Sequence, residues 1–88
     1  MQGKTIHAEP DEIRKVTNNW TAYTEQRGSS VSASDWEACG SLTLGAESLS
    51  GDTATVLVTV NGSGEVKNTV TLANGESLIC WRKVEACD

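Results

Sequence analysis

Between Thr53 and Leu72 apolar and polar residues alternate with a regularity that a helix cannot use. Ala54, Val56, Val58 and Val60 fall on one side of a period-two pattern, and Thr53, Thr55, Thr59 and Asn61 on the other. A strand patterned in this way buries one face and wets the other. Leu57 breaks the pattern by joining the threonine side. Asn61-Gly62-Ser63-Gly64 reads as a reversal, after which Val66, Val70 and Leu72 alternate with Glu65, Lys67, Thr69 and Thr71. Asn68 interrupts the second apolar face, where a buried amide is costly unless it is hydrogen-bonded.

The rest of the chain is read against this pair of strands. Asn74-Gly75 is a type I′ hairpin signal, followed by a last strand from Glu76 to about Val84. Leu42 and Leu44, bracketed by Gly40 and Gly45, make a short strand, and Ser29 to Trp36 a weakly patterned one. From Ile13 to Tyr23 the β-formers Val16, Thr17, Trp20, Thr21 and Tyr23 favour strand over helix, with a turn at Glu25-Gln26-Arg27-Gly28. An all-β domain is therefore expected, a small immunoglobulin-like β-sandwich of about six to seven antiparallel strands, with a small barrel as the alternative. Its expected bounds are an extended N-terminal arm over 1–11, the sandwich over 12–85 and a tail over 86–88.

Several stretches, taken in order, carry a resemblance. They are Glu9-Pro10-Asp11-Glu12, Trp20, Ser29-Ser30-Val31-Ser32-Ala33-Ser34-Asp35-Trp36, Asp52-Thr53-Ala54-Thr55-Val56 and Val66-Lys67-Asn68-Thr69-Val70-Thr71. Together they resemble short immunoglobulin-like proteins of tailed bacteriophages, a group of fibre–tail adaptors and head–tail or capsid accessory proteins. The resemblance spans roughly Pro10 to Val84 and lies in strand and turn residues. The group commonly has an apolar residue where Asn18 stands and a longer, more charged turn around Asn74-Gly75, and it does not generally carry three cysteines. The likeness implies a non-enzymatic virion subunit, made in the host cytoplasm, that bridges larger head, neck, tail or fibre proteins as a symmetric homo-oligomer. Capsid decoration is the alternative within that class, and a carbohydrate-binding module the alternative outside it.

Charge argues about partners. Seven Lys and Arg against twelve Asp and Glu give a net charge of -5, and the scattered cations form no basic stripe for nucleic acid or an acidic membrane. The first ten residues lack the basic and apolar regions of a secretory signal, so a soluble protein is expected. The single histidine, His7, has no sequence context of a base or metal ligand, and Glu9, Asp11 and Glu12 lack the ligand spacing of a calcium loop. No catalytic residue, metal or cofactor is expected; Glu9 to Glu12 read as a turn or an acidic docking patch.

The expected interface has two parts: Lys4, Ile6, Glu9 and Asp11 in the arm, and Trp81, Arg82 and Lys83 in the last strand, whose edge is available to another sheet. Trp20 and Trp36 are expected in the core. Cys80 and Cys87 lie about 23 Å apart along an extended strand, whereas a disulfide needs Cα atoms within about 7 Å. Cys39 can pair with either, and one odd thiol always remains. Free thiols are expected during assembly, with Cys39, Cys80 and Cys87 the candidates for a disulfide between subunits after release.

Overall fold

The computed structural model describes residues 5–86. The chain is an all-β domain with one short helix: β1 Ile6–Ala8, β2 Ile13–Asn19, α1 Thr21–Arg27, β3 Val31–Ser50, β4 Thr53–Leu72 and β5 Ser77–Ala86. These five strands form one sheet in the order β1-β5-β4-β2, with β3 also paired to β4. β2, β3 and β5 are antiparallel to β4, and β1 is parallel to β5 through Ile6↔Val84, His7↔Glu85 and Ala8↔Ala86.

The two expected strands from Ser29 to Gly45 are thus one strand, and Asn61-Gly62-Ser63-Gly64 does not reverse the chain. It bends it. A straight strand of this length spans about 66 Å, yet the longest dimension of the molecule is 44 Å. At the bend, Val60 faces Leu42 and Gly64 faces Gly40, so that Asn61, Gly62 and Ser63 stand across from Ser41 alone. Such a bulge sharpens the local twist and curvature. Glycine is required there for space: a Cβ on Gly40, whose φ is 90°, meets the Ser63 carbonyl oxygen at 2.7 Å, and a Cβ on Gly64 runs into the Cys39 carbonyl oxygen.

Folded at this bend, the β3–β4 ribbon faces itself. β2 pairs with β4 over Thr53–Thr59, and β5 pairs with it over Gly64–Thr71. Val16, Ala54, Val56, Val58 and Val60 from one half pack with Trp36, Val66, Val84 and Ala8 from the other. The period-two valines are all fully buried, and each adds to the hydrophobic stabilisation of the domain. Leu57 points outward and is 37% exposed.

A buried polar seam joins the halves. The Asn68 Oδ1 accepts from Asn18 Nδ2 at 3.1 Å and Trp20 Nε1 at 3.0 Å. Its Nδ2 donates to Ser34 Oγ and to the Asp35 carbonyl, both at 3.0 Å. Asn18 Oδ1 in turn accepts from Arg82 Nη2 at 3.0 Å. An asparagine stands at position 18 because it has a buried amide to satisfy across the core.

Residues 21–27, expected as strand and turn, form α1. Gly28 ends the helix with φ 60°, its N–H donating to Glu25 O and the Ser29 N–H to Thr24 O. The Asp52 carboxylate, in the β3–β4 turn, accepts from Thr24 Oγ1 and the Val31 N–H, both at 3.0 Å, and pins the helix over the end of the sheet. Seven residues in a helix leave too short a window for periodicity, and tertiary anchors decide the conformation. The Asn74-Gly75 hairpin is where the sequence placed it, but its turn differs. Gly75 has φ 94° while Asn74 does not have positive φ. The Gly75 N–H bonds Leu72 O, and the Leu72 N–H bonds Glu76 O. This is a type I turn closed by a glycine bulge rather than type I′.

Candidate interface

The sheet's pleat sorts the outward side chains into two faces. On the β5 half, Trp81 lies beside Ile79 and Lys83 on one strand, with Lys67 and Thr69 on β4 and Asp35, Glu37 and Cys39 on β3 in register. Trp81 is 39% exposed and Ile79 42%. Lys67 Nζ sits 5.5 Å from the centre of the Trp81 ring, a cation–π contact that leaves the rest of the ring open. On the β2 half, Ile13 is 64% exposed. Near it a bulge between Leu44 and Glu47 opens a shallow groove of about 430 Å³, whose lining includes Lys15, Ala46, Glu47 and Leu57. Leu57, out of pattern in the sequence, is apolar lining for this outer groove.

The expected interface residues are not gathered into one surface. Trp81 and Lys83 face outward, Lys83 Nζ being 3.3 Å from Glu85 Oε1. Arg82 points the other way and is half-buried; its Nη2 reaches Asn18 Oδ1 and, at 3.5 Å, the Thr17 carbonyl, so it ties β5 to β2. Ile6 lies in β1 and packs against the main core. Glu9 and Asp11 are exposed in a turn where the Glu12 N–H donates to Glu9 O at 3.1 Å. Pro10 in second position and Asp11 at φ 71° in third give that turn its type II character, and the Asp11 N–H is held by Val60 O at 2.7 Å. Lys4 lies outside the described residues.

Of the cysteines, Cys39 is exposed on the outward face of β3, whereas Cys80 is buried, its Sγ 3.9 Å from Asn18 Oδ1. Cys87 lies outside the described residues. Among the described residues no group of three or more His, Cys, Asp and Glu is arranged to hold a metal ion.

Apart from Cys39, the residues singled out from the sequence leave out the free side of β3. Among the described residues this strand pairs only with β4, and beyond Val31, whose N–H is held by Asp52, its far edge carries no strand partner. It carries Asp35, Glu37 and Glu47, all exposed, and no Lys or Arg. None of the three has an ion-pair partner among the described residues. The absence of bases from Val31 to Ser50 was visible in the sequence; that those residues form one edge was not.

Comparison of the chain with known proteins finds no matching family model and no matching curated protein.

Proposed function

We propose that this domain is a non-enzymatic contact module of a tailed-bacteriophage particle, bridging or adapting larger head, neck, tail or fibre proteins through repeated contacts. The observation that carries the bridging role is the placement of exposed apolar side chains on two opposed faces of a thin domain, Trp81 on one and Ile13 with Leu57 on the other. A bridge needs two surfaces, and exposed Trp is the residue type that most often anchors a protein contact. The phage assignment rests on the resemblance in strand and turn residues. The strand pairing supports the likeness: β2–β4–β3 in one half and β3–β4–β5 in the other follow the B–E–D and C–F–G orders of immunoglobulin-like sandwiches. A symmetric assembly would let a small contact, used many times, hold large partners firmly.

The test is the location of the chain in purified particles by cryo-electron microscopy, alongside native mass of the isolated protein. A ring on the tail axis supports the adaptor role, and a lattice on the head supports decoration within the same class. Absence of the chain from particles ends the reading.

A further inference from the structure

We propose that the open edge of β3 between Ala33 and Gly40 receives, by strand addition, an extended cationic segment of a partner protein. This names the chemistry of one partner of the contact module above, and it rests on that reading only for the partner's being another structural protein.

Three observations point to this occupant. First, the register of β3 is irregular between Val31 and Ala33 and again between Gly40 and Leu42, but regular in between. The eight residues from Ala33 to Gly40 therefore present an even row of backbone donors and acceptors, the template on which strand addition works. Second, the outward side chains of that stretch include Asp35 and Glu37, both exposed. Lys67, the cross-strand neighbour of Glu37, is turned instead to the Trp81 ring. A strand laid on this edge places alternate residues beside the two carboxylates, and opposite charge at such cross-strand positions is favourable. Third, the inward side of the same edge opens on a slit of about 160 Å³ between the two halves of β3, lined by Ser34, Glu47, Ser48 and Leu49. It has room for an aliphatic side chain of the added strand. The partner profile is thus Lys or Arg at alternate positions with an aliphatic residue between them.

Charge also decides against a second copy of this chain as the occupant. Antiparallel pairing of two β3 edges sets Asp35 and Glu37 against the same residues of the other copy, which is unfavourable, and the chain as a whole carries -5.

The probe is an eight-residue peptide of alternating Lys and Val, added to the full ¹⁵N-labelled chain at low salt and followed by NMR. Amide shifts are expected at Ala33 to Gly40 and at Ser48 and Leu49, weakening as salt is raised. The Asp35→Asn/Glu37→Gln variant, altered at two exposed positions, should bind about tenfold more weakly, each lost exposed pair counting for a factor of roughly two to five. A Glu–Val peptide, and a Lys–Val peptide with alternate backbone nitrogens methylated, should not bind. The proposal is overturned by any of four results: no shifts at millimolar peptide, shifts centred on Trp81 instead, equal binding of the acidic or methylated peptide, or self-association of the chain by pairing of this edge under reducing conditions. None of these touches the particle location, which microscopy reads independently.

Discussion

Asn68 is fully buried and yet uses both acceptor positions and both donors of its amide. Replacing it with Leu strands the Trp20 and Asn18 donors, and Asn68→Leu should cost about 3 kcal/mol or more in urea denaturation, since each orphaned buried polar group costs roughly 1–3 kcal/mol. The Asn18→Val/Asn68→Val double variant should lose less than the sum of its single variants, because both partners leave together. Strict additivity would show that the two amides are not coupled. The tryptophans give a second comparison. Trp20 and Trp36 are both buried, but Trp20 Nε1 donates to Asn68 whereas Trp36 Nε1 has no hydrogen-bond partner among the described residues. Trp20→Phe should therefore be more destabilising than Trp36→Phe by about 1 kcal/mol, the net worth of one hydrogen bond; equal costs would count against the seam. Both tryptophans were legible as core residues from their bulk in a chain without phenylalanine. That Asn18 belongs with Asn68 was not legible, because the pairing spans fifty residues.

At the scale of elements, glycine does two different jobs, and they predict different losses. Gly75 has φ 94° with open space where a side chain would begin, so Gly75→Ala costs only the strain of a left-handed alanine, about 1 kcal/mol. Gly64→Ala instead drives a methyl group into the Cys39 carbonyl and the Leu42 side chain, and should cost at least about 2 kcal/mol more, as overpacking does. Thermal melts of the two variants check the order; a Gly64→Ala protein as stable as Gly75→Ala would mean that the bend tolerates a side chain. The same glycines explain what the sequence could and could not convey. The alternation from Thr53 to Val60 identified its strand and its buried face, because period two has no other use. Asn61-Gly62-Ser63-Gly64 has the composition of a turn, and composition does not distinguish a chain that reverses from one that bends and stays hydrogen-bonded. α1 was hidden for the opposite reason: Thr21 and Tyr23 favour strands, and the helix is held by Asp52, about thirty residues away in sequence but adjacent in space.

For the whole molecule, curling one sheet on itself divides its thiols by accessibility. Cys80 is 1% exposed within the smaller core cluster of Trp20, Val31, Val70 and Leu72, while Cys39 stands outside on the edge strand. A disulfide between copies requires a sulfur that reaches the surface of the folded protein, so Cys39 can form one without unfolding and Cys80 cannot. In a Cys87→Ser background, a maleimide should label Cys39 at once in native buffer. Cys80 should react only as fast as the core opens, and faster as denaturant is added. Non-reducing gels of oxidised protein should then show dimers that Cys39→Ser abolishes and Cys80→Ser leaves in place. Cys80 labelling as fast as Cys39 in native buffer would mean that β5 opens readily, and a strand that opens cannot hold Trp81 on a fixed contact face.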